Sequence, residues 1–439
     1  MNPPAPAPVV ASTEASPLSL RLLGAERDEL PALLWSFCYF FALLCAYGLL
    51  RPLREEMGVR HGVDRLQWLF TGTFVCMLAA QPIYGALVSR FPRRVFVPAV
   101  YLFFIACLVT FYALFRWNVA TTIAVPAFFI WVSVFNLFVV SVFWSFMADI
   151  FSAAQSRRLF GVIAAGGTCG ALAGPGVTAL LVERIGVPQL MLGSALLLGV
   201  ALVAVWRLLP WATRQRGPER IIGGTVLAGA RLMAESPFLR AIAGLLLLYV
   251  TVNTILYYQQ AAVVAAAYTD PAARAAFFAR IDFAVNSLTV VTQVVVTRVL
   301  MTRFGVTPLL VISPVLVAVG FAALAASPVP ILLAVIQIVH RAGNFALIAP
   351  ARESLYTQVN RESRYKAKAF IDTAIYRGGD VVVGWGMAGV AAIGLSLGQV
   401  GLLGLIVASL WALLGLRVGR TYAPGIPPAA DAPSVPLPR

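Results

Sequence analysis

Charge is scarce in this sequence. Only 12% of its 439 residues are charged, while 60% are apolar. A soluble chain carries about twice that charge. The deficit, with a mean hydropathy of +0.86, excludes a disordered, collagen-like or soluble globular protein. Histidine is nearly absent, with two residues, and cysteine is limited to five. Cys38, Cys45, Cys76, Cys107 and Cys169 fall in apolar runs without CxxC spacing or a neighbouring His. That pattern supports neither a disulfide framework nor a metal site, and the five read as small buried hydrophobes. No nucleophile–base pair or P-loop is evident, so the expectation is a non-enzyme that needs no cofactor or metal and is not a primary pump. Residues 1–30 open on a Pro/Ala stretch without a basic region leading into an apolar core, unlike a signal peptide.

What the chain has instead is apolar runs of about 20 residues, the length that crosses about 30 Å of hydrocarbon. A membrane barrel would need only about 10 residues of alternating polarity per strand. The expected fold is all-α. Twelve spans are read at 31–50, 66–88, 95–115, 121–147, 159–182 and 188–209, then 239–264, 281–301, 306–326, 329–349, 371–394 and 396–418. They divide into two six-helix bundles, 31–209 and 239–418. Between them lies a cytoplasmic linker, 210–238, with an amphipathic helix; tails occupy 1–30 and 419–439. A second amphipathic helix is expected on the outer surface over 265–280, with Arg274, Phe277, Phe278 and Arg280.

The formal charge of +15 comes almost entirely from arginine, 31 of 33 basic residues. With both termini inside, 23 basic residues fall in cytoplasmic segments and 8 outside. This positive-inside bias accounts for the charge without nucleic acid. The expected setting is a bacterial inner membrane, with lipid as surroundings, a small solute as partner and a monomeric state.

Ionisable residues within spans carry functional information, because each costs about 2.5–3.5 kcal/mol at mid-membrane on insertion scales. Asp149 ends span 4, Arg341 lies in span 10, and Asp372, Arg377 and Asp380 begin span 11. Arg377 and Asp380 share a helical face by i,i+3 spacing. After span 1 come Arg51-Pro52-Leu53-Arg54-Glu55-Glu56. If helix continues past Pro52, then Arg51, Arg54 and Glu55 share a face, where guanidiniums would hold a phosphate or carboxylate bidentately. The other reading is an external loop of mixed charge. Asn253, Tyr257 and Gln260 of span 7, with Asn286 and Gln293 of span 8, either line a path or bond helix to helix. His340 reads as a packed histidine, with a proton relay as the alternative.

Gly85-Ala-Leu-Val-Ser-Arg-Phe-Pro-Arg-Arg94 resembles the basic loop signature of major facilitator transporters, with Ser89 for the acid and Pro92 for a glycine. Gly170-x-x-x-Gly174-Pro175-Gly176 is similar to the span-5 motif of facilitator antiporters, and close helix packing explains it equally well.

Four further segments resemble the ATP/ADP antiporters (nucleotide transporters) of plastids and intracellular bacteria. They are Arg51-Pro-Leu-Arg54-Glu55, Phe143-Trp144-Ser-Phe146-Met-Ala148-Asp149-Ile150, Pro350-Ala-Arg352-Glu353-Ser-Leu-Tyr356, and Lys366, Lys368, Ala369, Asp372, Arg377 and Gly379 in order. Ala148 replaces a family Asn, and Asp380 stands where the family has Lys. The resemblance implies a divergent member with the major facilitator fold and gives nucleotide-binding roles to Arg54 and Asp149. Asp380 shifts one site by two charge units, which weakens binding of a polyanion. Three functions follow: alternating-access transport of an anionic, nucleotide-like solute; proton-coupled export of a neutral or cationic compound; or a non-transporting scaffold or receptor.

Overall fold

Pro52 does not end the first helix. In the computed structural model α1 runs from Leu30 to His61, past the expected end at residue 50, with Pro52 buried inside it. The ring removes the amide that would bond the Gly48 carbonyl. The structure describes residues 25–212, 226–327, 329–356, 359, 367–368 and 370–422. Most of both expected tails, residues 213–225 of the linker, and Lys366 and Ala369 of the span-11 motif lie outside them.

The chain continues through α2 (Leu66–Arg90), α3 (Arg93–Arg116), α4 (Thr121–Ile150), α5 (Ala153–Ile185) and α6 (Val187–Ala212). The short α7 (Val226–Glu235) belongs to the linker. Next come α8 (Pro237–Ala267) and α9, which runs as Pro271–Thr292, a π turn at Gln293–Thr297, and Arg298–Phe304. After α10 (Thr307–Ala326), α11 is Pro330–Gly343, a π turn at Asn344–Ile348, and Ala349–Tyr356. A π turn at Ile371–Ile375 leads α12 into Tyr376–Ala392, and α13 is Leu397–Tyr422. Among the described residues eleven helices are long and apolar enough to cross a membrane. The twelfth expected span, α12, is helical, but Asp372, Arg377, Asp380 and its glycines keep it outside that apolar class. The chain is a multi-pass, all-α membrane protein.

Among the described residues two large hydrophobic cores form, beside a small one of Ile281, Val285, Ala334 and Ala342. One joins α1 and α3–α6 and includes the Tyr39–Tyr101 hydroxyl pair. The other joins α8 to α13 around Trp411 and takes in Val59, Leu66, Leu69 and Phe129 of the first half. Within the first, α5 presses on α1 through its glycines. Added β-carbons on Gly166 and Gly174 would stand 2.6 Å from the Phe37 and Cys45 carbonyl oxygens. The glycine run is therefore a packing stripe. Gly186 alone separates α5 from α6, at φ 86°, which a side chain would strain.

Several expectations change. Residues 265–280 are not a separate surface helix: Asp270 caps α9 by accepting from the Ala273 amide at 3.0 Å. Arg274, Phe277, Phe278 and Arg280 are thus the first turns of the eighth span. The basic segment after span 2 is largely helix end, with only Phe91 and Pro92 between α2 and α3. Of the cysteines only Cys45 is buried, and Cys76 and Cys169 are exposed. Residues 25–29, expected within the N-terminal tail, are docked: Glu29 is buried and pairs with Arg158 of α5 at 2.8 Å. Val226–Glu235 forms the helix expected in the linker.

Candidate functional site: a charged cavity between the halves

The two halves enclose a cavity of about 360 Å³ lined from both sides. The α1 extension positions the first part of it. By continuing through Pro52, α1 brings Arg51, Arg54 and Glu55 to one face, and all three line the cavity. Their helical placement replaces the external-loop alternative. Arg54 donates through Nη1 to Glu55 Oε1 at 2.9 Å and through Nε to the Phe129 carbonyl at 3.2 Å. Its guanidinium also lies 3.8 Å above the Phe129 ring.

The second half supplies Asp282 from α9, Arg341 from α11, and Arg377 and Asp380 from α12. Arg341 Nη1 lies 2.7 Å from Asp282 Oδ1, and Arg51 Nε lies 3.7 Å from Asp282 Oδ2. Arg377 lies 3.5 Å from Asp380, as i,i+3 spacing predicts, and the Thr254 hydroxyl donates to Asp380 at 3.2 Å. Four guanidiniums therefore face three carboxylates. Between low-dielectric helices, an excess of positive charge attracts an anion more strongly than it would in bulk water.

The expected polar residues divide. Asn253, Tyr257 and Gln260 line the same cavity. Asn286 and Gln293 line an adjoining space of about 350 Å³ that shares Tyr47, Arg51, Asn136, Asp282 and Phe345 with it. Asn286 also donates to the Ala171 carbonyl of α5 at 2.6 Å, so it joins the halves. Asp372 lies in a third space, 3.7 Å from Arg352, which reaches Arg377 and Asn136. Asp149 ends α4 and does not line the central cavity. His340 is fully buried and stacks on Tyr249 at 4.9 Å, as a packed histidine does.

Sequence reasoning missed Asp282. It stands at the edge of the span expected at 281–301, although Asn286 lies four residues on and marks a polar face. It also missed the rings. Tyr47, Phe70, Phe278, Phe345 and Tyr376 line the cavity beside Tyr257. In an apolar sequence each aromatic reads as core. The π turns of α9 and α11 meet beside Phe345: Gln293 donates to the Phe345 carbonyl at 3.1 Å, and Thr297 to that of Ala346 at 2.7 Å. Such turns recur at functional sites. Glu56 was likewise unsignalled. It is fully buried, neither carboxylate oxygen has a hydrogen-bond partner among the described residues, and it lines a separate cavity of about 460 Å³ with Arg60, Asp270 and Arg274.

Contacts between the halves gather at one end of the molecule, where α1 meets α2 and α8 meets α9. There the Trp385 indole donates to the Thr71 hydroxyl at 3.2 Å, Trp68 and Trp385 rings lie 4.9 Å apart, and Arg280 pairs with Glu183 at 3.1 Å.

Structures of known transporters share this architecture. A mutant of the nucleoside transporter NupG superposes with a TM-score of 0.61 at 17% identity, covering 88% of this chain and 99% of that one. A bacterial homolog of the human lysosomal transporter Spinster, inward-facing and unoccupied, gives 0.56 at 12% identity, covering 91% and 98%. A D-xylose–proton symporter gives 0.57 at 14% identity, covering 90% and 97%. At these identities the likeness is one of fold. No curated protein sequence matches this chain. The model of the Major Facilitator Superfamily matches residues 32–279, more than half of the chain, and the protein therefore belongs to that superfamily.

Proposed function

We propose that this protein is a secondary transporter that carries an anionic solute with a planar aromatic portion, as a nucleotide has, by alternating access. One observation carries the reading: a cavity between the halves in which Arg51, Arg54, Arg341 and Arg377 outnumber their carboxylates amid aromatic rings. Guanidinium forks suit phosphate or carboxylate oxygens, rings stack on a planar group, and Asn253, Gln260 and Gln337 offer it donors and acceptors. The resemblance to the ATP/ADP antiporters points the same way. The end where the halves meet is the outer one under the positive-inside count, so this conformation is open to the cytoplasm. The membrane is a bacterial inner membrane with both termini inside, and the carrier works as a monomer.

Asp282 and Asp380 favour one further reading, in which a cavity carboxylate carries a coupling proton and the cargo is neutral or cationic. Transport driven by a pH gradient and lost in Asp380→Asn would support it. The direct test of the main reading uses purified protein in liposomes loaded with unlabelled ATP and ADP. Uptake of labelled ADP should require internal nucleotide and vanish in Arg54→Ala and in protein-free liposomes. No uptake by folded protein would refute nucleotide exchange.

A further inference from the structure

Asp282 is shared between two arginines from different halves, and it satisfies them unequally. Arg341, on the same half, holds Oδ1 at 2.7 Å. Arg51, on the opposite half, approaches Oδ2 only to 3.7 Å. Among the described residues Oδ2 accepts no hydrogen bond although Asp282 is 2% exposed, and Nη2 of Arg341, itself 7% exposed, donates none. Both partners are ion pairs, and the one within the half is closer by 1.0 Å. Arg51 keeps 27% of its side chain exposed and faces the cavity.

We propose that Asp282 is a stand-in for the cargo's anionic group and couples cavity occupancy to the closed end. This rests on the anionic reading of the cavity. In the empty carrier Asp282 holds Arg51 across the halves and helps keep their contact at this end. An anion in the cavity takes Arg51 with two hydrogen bonds in place of one loose pair. Asp282 is not left as an unpaired buried charge, because Arg341 retains it at 2.7 Å. Arg341 is therefore a positioning residue whose presence makes the hand-over of Arg51 cheap. The loaded carrier is the one freed to open here, which makes the transport an exchange. A ligand shifts such an equilibrium only by what it binds differently in the two states, and the released cross-half pair is that difference.

The test reads conformation, so it does not depend on knowing the cargo. Spin labels go on Val119, in the turn after α3, and Ile393, in the turn after α12, both exposed and on opposite halves at the joined end. Full-length protein with its native cysteines replaced is placed in nanodiscs, and label separations are measured by pulsed electron resonance. Without ligand, Arg51→Gln and Asp282→Asn should each raise the long-separation population several-fold. Arg51→Gln leaves the Asp282–Arg341 pair intact, so its effect cannot come from an orphaned Arg341. ADP or pyrophosphate should shift the unsubstituted carrier the same way and leave Arg51→Gln unmoved. If both variants shift but neither anion does, the cross-half hold stands and the anionic reading falls. If the anions shift the parent protein while the empty variants match it, the coupling role of Asp282 is overturned, as it is if nothing shifts.

Discussion

Gly174 of α5 lies directly on Gly48 of α1. A β-carbon on Gly174 would stand 2.7 Å from the Gly48 α-carbon and 2.6 Å from the Cys45 carbonyl oxygen. Both contacts are with backbone, so no side chain can swing aside. Gly174→Leu should force the helices apart at a cost of about 1–3 kcal/mol, the usual range for overpacking. In detergent the melting temperature should fall by several degrees. Gly85→Leu, where an added β-carbon meets nothing within 4 Å, should leave it unchanged.

The same glycines show what the sequence made legible. Their spacing announced close packing but not the partner, because spacing reports one helix and the partner is set by topology. Arg341, Arg377 and Asp380 were legible as cavity candidates because ionisable groups in apolar runs are expensive and need a reason, whereas Arg51, Arg54 and Glu55 were legible only as one shared face if helix continued past Pro52. Asp282 is not marked by the same signal, because the apolar run places it at a span's edge, whereas Pro271 starts the helix ten residues before the expected start at 281. Pro52 hid the length of α1, since proline usually marks an end and here is accommodated by packing. The cavity aromatics could not be told from core aromatics without a structure.

Removing one member of the Asp282–Arg341 pair should be worse than removing both. Asp282→Leu strands a guanidinium that is 7% exposed, and breaking such a pair costs about 3–5 kcal/mol. The double variant Asp282→Leu/Arg341→Leu should recover most of the lost melting temperature without recovering transport. A double variant no more stable than Asp282→Leu would show that the pair is not the source of the loss.

Asp380 should tune the cavity's charge. It holds Arg377 at 3.5 Å and accepts from Thr254 at 3.2 Å. Asp380→Asn keeps the hydrogen-bond acceptor and removes one of three cavity carboxylates. ADP binding measured by calorimetry should tighten several-fold, and Arg377→Gln should weaken it by a similar factor. Equal affinities in all three proteins would remove these residues from the anion site.

Glu56 is buried, and among the described residues neither oxygen has a hydrogen-bond partner, which is costly for a charged group. Glu56→Gln keeps the shape and removes the charge, so the melting temperature should rise by a few degrees. Glu56→Lys should prevent folding, measured as loss of the monodisperse peak in size-exclusion chromatography. A stability loss in Glu56→Gln comparable to Asp282→Leu would mean that the carboxylate has a partner.

Glu29 should give the first half a pH-dependent tie. Burial alone would raise its carboxyl, but the Glu26 amide, the Gln155 side chain and Arg158 together hold it below the ordinary value of 4.5. The bonds are short: Gln155 Nε2 and Arg158 Nη2 each donate to Oε1 at 2.8 Å. A carboxyl depressed on folding contributes stability that is fully present above its unfolded value and is lost as pH falls through its folded one. The melting temperature should therefore exceed that of Glu29→Ala by a few degrees at pH 7, and the gap should hold to about pH 5. Below about pH 4 the gap should narrow, because the protonated carboxyl no longer attracts Arg158. Arg158→Gln should show a smaller gap with the same pH course, since Gln155 still holds the carboxylate. A gap that stays constant from neutral to acid would assign the contribution of Glu29 to packing instead of charge.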